Sequence, residues 1–138
     1  MGEPEWEKCV HIHDVGEACV EITVDEADLS LTIALVIANH TVLHETVSAN
    51  QTLCVNLDTL LDLVGDVCIP CKPVIKLIEE FGHKITNEIL NACVDIQDVV
   101  WGANEVSGDV EFVYHILCWK GKCVTEGQDD LGSFHIHF

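Results

Sequence analysis

A chain of 138 residues, 49% of them hydrophobic, has enough apolar material for one buried core and needs no second domain. Its 24 acidic residues face six lysines and no arginine, a formal net charge of -18, which excludes the basic surfaces that nucleic acids and anionic membranes require. Eight cysteines in so short a chain point to a disulfide framework formed in an oxidising compartment, and no apolar run is long enough to span a bilayer.

Residues 1–8, with Glu3, Glu5 and Glu7 around Pro4, read as a disordered acidic lead-in. Residues 9–138 then form a single disulfide-rich domain. No charged and apolar leader opens the chain, so Met1-Gly2 reads as an added start after a removed signal peptide. Residues 9–13 alternate, with Val10 and Ile12 on one face and Cys9, His11 and His13 on the other. Residues 18–24 alternate again through Ala18, Val20, Ile22 and Val24, and an acidic turn follows at residues 25–28. Residues 31–38 are apolar at every second position and between, which predicts a central strand covered on both faces. Asn39-His40 reads as a hairpin turn, residues 41–48 as its return strand and residues 51–57 as a further strand. In residues 58–64, DTLLDLV, a helical turn capped by Asp58 is expected.

A sustained helical period begins after Cys68-Ile69-Pro70-Cys71. Val74, Leu77, Ile78, Phe81, Ile85, Ile89 and Ala92 recur at steps of three and four, and Pro73 suits a first helical turn. The reading is one long amphipathic helix over about residues 72–92 that runs through Gly82 at a cost of roughly 1 kcal/mol. Such a helix separates Cys71 from Cys93 by about 33 Å, against the roughly 7 Å a disulfide tolerates, so those two cannot pair. Past Cys93 the period returns to two, with Val94 and Ile96, then Val110, Phe112, Tyr114 and Ile116 sharing a face. Trp119-Lys120-Gly121-Lys122 forms a hairpin between Cys118 and Cys123 that a disulfide could cross. Residues 126–130 read as a polar loop, and Phe134, Ile136 and Phe138 close the chain as a strand opposite His135 and His137. The whole predicts an α+β fold of mainly β character: an antiparallel sheet or sandwich with the long helix packed on it, held by disulfides.

Residues 19–54, ACVEITVDEADLSLTIALVIANHTVLHETVSANQTLC from Ala18, resemble the defining segment of an uncharacterised family of small secreted cysteine-rich arthropod proteins. In that family too a cysteine strand, an acidic turn, a long apolar strand, an Asn-rich hairpin and an E-T-V-S segment lead to the next cysteine. This chain has Ala49-Asn50-Gln51-Thr52 where the family usually has prolines, and the helical stretch is an addition. The resemblance implies secretion and a β-rich fold, and brings no activity with it.

Cys68-x-x-Cys71 at a helix start is similar to the thioredoxin motif, in which the helix N-terminus lowers a thiol pKa. No βαβ unit precedes it and six other cysteines (Cys9, Cys19, Cys54, Cys93, Cys118 and Cys123) offer partners, so both cysteines are expected to be bonded outside the motif. None of the four serines lies in a G-x-S-x-G elbow, and no P-loop, dinucleotide fingerprint or EF-hand loop occurs, so the reading is a non-enzyme without a cofactor. Asn39-His40-Thr41 and Asn50-Gln51-Thr52 fit the N-glycosylation pattern. His11-x-His13 and His135-x-His137 each place two imidazoles on one strand face, and if the terminal strands are neighbours all four converge as a zinc or copper(II) site.

Two function classes follow. The first is a secreted non-catalytic module, a component of an extracellular assembly or secretion whose partners are other secreted proteins or further copies of itself. The second is a small carrier that shelters an apolar molecule between helix and sheet, lined by Leu77, Ile78, Phe81, Ile85 and Ile89.

Overall fold

In a computed structural model, residues 5–138 are described as eight strands and two helices. The strands β1 (Trp6–Ile12), β2 (Gly16–Asp25), β3 (Ser30–Ile37) and β4 (His40–Val47) form one antiparallel meander. A second antiparallel sheet, in sequence order, comprises β5 (Gln51–Cys54), β6 (Leu90–Trp101), β7 (Glu105–Trp119) and β8 (Lys122–His137). Helices α1 (Leu57–Val67) and α2 (Cys71–Glu80) fall between β5 and β6. β1 therefore begins at Trp6, so the last residues assigned to the lead-in belong to the sheet, while Met1, Gly2, Glu3 and Pro4 lie outside the described residues.

The two sheets share one core. Ile12, Ala18, Val20, Ile22, Leu31, Ile33, Leu35 and Ile37 from the first meet Leu90, Ala92, Val94, Ile96, Val110, Phe112 and Phe134 from the second in a continuous buried cluster. This is a β-sandwich whose inner faces follow from the two-residue alternation of each strand. Strand β3 is covered on that face alone: Thr32, Ala34 and Val36, its other face, stay half-exposed, and small side chains there had made the run read as buried on both sides. Residues 126–130 lie inside the long β8 rather than in a loop. Gly127 sits under the Tyr114 ring, whose Oη would lie 2.5 Å from an added Cβ, so the run of polar residues is strand with one close approach.

Turn chemistry sets the register. The β3–β4 turn is Ala38-Asn39, both at positive φ (50° and 68°), one residue earlier than expected, with Ile37 opposite His40. Lys120 and Gly121 (φ 51° and 79°) make the same kind of turn between Trp119 and Lys122. Such turns match the right-handed twist of the strands they join. Leu117, at positive φ (55°), is buried together with its neighbour Ile116, although the β7–β8 register runs unbroken from Ile116 opposite Thr125 to Cys118 opposite Cys123.

The long helix does not form. α2 stops at Glu80 because Gly82, at φ 77°, adopts the left-handed conformation that ends helices. The His83 N–H bonds the Ile78 carbonyl at 3.1 Å and the Gly82 N–H the Glu79 carbonyl at 2.9 Å, the paired closing bonds of a glycine C-terminal motif. Beyond it, Leu90, Ala92, Val94 and Ile96 are buried and alternate with Asn91, Cys93 and Asp95 in β6, so Ala92 belongs to a strand, while Ile85 and Ile89 lie in the irregular connection before it. α1 is capped by Asn56, whose Oδ1 accepts from the backbone N–H groups of Asp58 (3.0 Å) and Thr59 (3.3 Å), with Asp58 in the first turn rather than at the cap.

Four disulfides pair all eight cysteines: Cys9–Cys19, Cys54–Cys93, Cys68–Cys71 and Cys118–Cys123. Three join residues directly opposite each other on neighbouring strands, with Cα separations of 4.0, 4.0 and 3.9 Å, on the outer faces of the sheets. Cys68 and Cys71 bond to each other and not to the sheet, a correction to the expected pairing. The turn into α2 brings their Cα atoms to 5.2 Å, inside disulfide range, and both are fully buried. Such a set marks a chain that folds in an oxidising environment. Among the described residues no helix is long and apolar enough to cross a membrane.

Candidate functional site

The helices close the end of the sandwich where β4, β6 and β8 begin and β5 and β7 finish. Leu60, Leu63 and Val64 of α1 and Ile78 of α2 are buried there, and α2 borders β7. The residues expected to line an apolar site therefore part company. Ile78 is fully buried, Ile85 and Ile89 are half-buried beyond the helix end, and Leu77 and Phe81 are 44% and 58% exposed. Ile69, at the tip between the helices, is 83% exposed. A shallow open cleft of about 350 Å³ on α2 is lined by Lys72, Ile75, Lys76, Glu79 and Glu80. The space between the sheets is filled, with Phe112, Phe134, Leu35 and Ile96 each without solvent exposure.

Packing also gathers charge that is dispersed in sequence. The Lys120 ammonium lies 5.0 Å from the centre of the Phe81 ring, and His83 packs edge-on against Trp119 at 4.6 Å, so the β7–β8 hairpin abuts the end of α2. Residues 68–89 and 117–125 together carry five lysines and three glutamates. All the rest of the chain carries one lysine and 21 acids, those of α1 included. On the outer face of the second sheet, Gln97, Asp109, Glu111, Asp130 and Ser133 line an acidic groove of about 210 Å³. Ser133 Oγ donates to the Asp109 carboxylate, which lowers its pKa, while Asp98, hydrogen-bonded to Asp109 and repelled by its charge, is raised.

At the opposite end, His135 Nε2 and His137 Nδ1 lie 3.4 and 3.6 Å from the same Glu105 oxygen, with the two rings 4.4 Å apart. Glu105 pairs with His137 across β7 and β8. Nothing in the sequence pointed to Glu105, because its approach depends on the β7–β8 register. His11 and His13 do not join this group. Trp6, at the start of β1, packs on Phe134 at 6.3 Å, and His11 lies five residues further along β1, about 17 Å away at 3.3–3.4 Å per residue. His13 instead faces Asp14 at 3.4 Å. Both glycosylation candidates are exposed; Asn39 is at the tip of the β3–β4 turn, and Asn50 accepts the Val99 N–H through Oδ1 at 2.9 Å.

On the outer face of the first sheet Glu7 stands opposite Glu21. Burial, then a hydrogen bond to Glu7 and its charge, push the Glu21 carboxyl above the ordinary glutamate value. A carboxyl whose folded pKa is raised destabilises the fold once pH climbs through that value, and the loss is recovered as pH falls toward the unfolded value of about 4.3. Glu21→Gln is expected to stabilise the protein at neutral pH by less than about 1 kcal/mol and to lose that advantage near pH 4. Urea midpoints of both proteins across that range check the sign.

No protein-family model, curated protein sequence or solved structure matches the chain.

Proposed function

We propose that this protein is a secreted, non-catalytic building module of an extracellular assembly, and that its copies associate through the lysine-bearing helical end of one molecule and the acidic outer face of the next. The observation that carries this reading is the gathering of five of six lysines, with exposed Ile69, Leu77 and Phe81, on residues 68–89 and the β7–β8 hairpin, beside the acidic α1 and an otherwise acidic body. Apolar side chains ringed by charge are the usual anatomy of a contact surface, and the groove at Asp109, Glu111 and Asp130 offers the complementary charge. Two different surfaces meeting head to body make a heterologous contact, which runs into open chains or, where the rotation between copies closes, into rings. The resemblance to secreted arthropod proteins and the disulfide set fit the same setting. The side chains that the carrier reading would line its site with are split between the buried Ile78 and the exposed Leu77 and Phe81, which favours the module over the carrier.

Sedimentation of the oxidised protein over a range of concentrations and salt is the test. Association that weakens with added salt, and that Leu77→Ser/Phe81→Ser and Lys120→Glu/Lys122→Glu both abolish, is the expected result. These side chains are exposed, so the variants should keep the parent's unfolding midpoint. A monomer at every concentration overturns the proposal. A stoichiometric lipid, found by native mass spectrometry of protein from its source and removed by organic extraction, would instead establish the carrier.

A further inference from the structure

We propose that Glu105, His135 and His137 form a binding site for a transition-metal dication, zinc or copper(II), held by two imidazoles and one carboxylate with a fourth position open to solvent. The strand period places both imidazoles on the outer face of β8, because Ile136 between them is buried opposite Val106. Register then brings Glu105 across from His137. The three donors are therefore set by the pairing of two long strands and not by a loose surface encounter.

Distances agree with the chemistry. A tetrahedral ion with bonds of about 2.0–2.1 Å holds its ligand atoms about 3.3–3.4 Å apart. The carboxylate oxygen stands 3.4 Å from one ring nitrogen and 3.6 Å from the other, and all three donor atoms lie within 4.8 Å of one another. Imidazole with carboxylate suits zinc and copper(II), whereas calcium and magnesium take oxygen donors.

The surroundings hold the turn that carries Glu105 in place. The Gly102 N–H bonds the Glu105 carbonyl at 2.8 Å, and the Phe138 N–H bonds the Asn104 carbonyl at 2.9 Å, pinning the β6–β7 turn on both sides. A Cβ on Gly102 would lie 2.8 Å from the Glu105 Cγ, so only glycine leaves that side chain its present course. Two other groups of potential donors occur among the described residues, Glu7 with Cys9 and Cys19, and His115 with Cys118 and Glu126. In both the sulfurs are tied in disulfides, and a disulfide sulfur is not the thiolate that binds metal. The cluster at Glu105 alone has every donor free to ligate.

Calorimetric titration of zinc chloride, and separately of copper(II) sulfate, into the intact oxidised protein at neutral pH tests the site. One ion per chain is expected, bound more tightly than calcium. Losing even an outer-shell partner costs about 10–100-fold in metal affinity, so His135→Ala/His137→Ala should lose at least about 100-fold and Glu105→Gln at least about tenfold. Gly102→Ala should weaken binding although all three donors remain. His11→Ala/His13→Ala and Leu77→Ser/Phe81→Ser should leave it unchanged, which keeps this outcome apart from that of the helical end. Equal binding by the His135/His137 double variant, or only unsaturating heat matched by calcium, overturns the proposal.

Discussion

Phe134→Ala is expected to lower the stability of the oxidised protein by about 3–5 kcal/mol, a large part of the roughly 5–15 kcal/mol that a domain of this size has. The ring is fully buried, meets Trp6 edge-on at 6.3 Å, and lies over Gly108 so closely that an added Cβ would stand 2.7 Å from Cζ. It packs across the sandwich against Trp6, so that β1 and β8, the edge strands of the two sheets, meet through it. The same closeness gives a second measurement. Gly108→Ala alone should cost about 1–3 kcal/mol by overpacking, and much less in the Phe134→Ala background, where the obstructing ring is gone. Urea unfolding of the four proteins in the cycle checks both, and additive costs would show that the ring and the glycine do not meet.

Removing the Cys54–Cys93 disulfide, as Cys54→Ala/Cys93→Ala, should cost about 4 kcal/mol, while removing Cys68–Cys71 should cost about 2 kcal/mol or less. The first closes a loop of sequence separation 39 that contains both helices, and the second spans a separation of 3. Chain entropy of the unfolded state rises with loop size, so the larger loop has the larger effect. Denaturant unfolding under non-reducing conditions gives the order. If the two losses come out equal, loop size is not what governs them.

The sandwich was legible where alternation was clean. Val20, Ile22 and Ile33, and later Phe112 and Ile136, are buried where the period of two places them. The hairpin at Lys120-Gly121 and its disulfide were legible for the same local reason: glycine at the tight point between two cysteines. The helix failed at Gly82, where an apolar phase continued past a residue whose left-handed backbone ended the element. Cys68–Cys71 failed because the helix start that permits their pairing was read as a reason to look for partners elsewhere. Site residues were legible only within single strands. His135 and His137 were visible as a pair, but Glu105, and the approach of Lys120 to Phe81, depend on registers and packing that no window of sequence contains.

Residues 48–50, between β4 and β5, have a consequence for how two molecules can combine. They are the one covalent passage between the sheets, held by the Trp101 indole N–H to the Ser48 carbonyl and by the Val99 N–H to Asn50 Oδ1, both at 2.9 Å. Every disulfide lies wholly on one side of that passage: Cys9–Cys19 in the first sheet, and the other three in the second sheet and its helices. Two chains opened at this hinge can trade entire sheets and rebuild both cores with each sulfur keeping its original mate. Domain exchange is thus open to the fully oxidised molecule, with no thiol chemistry required to reach or to leave it.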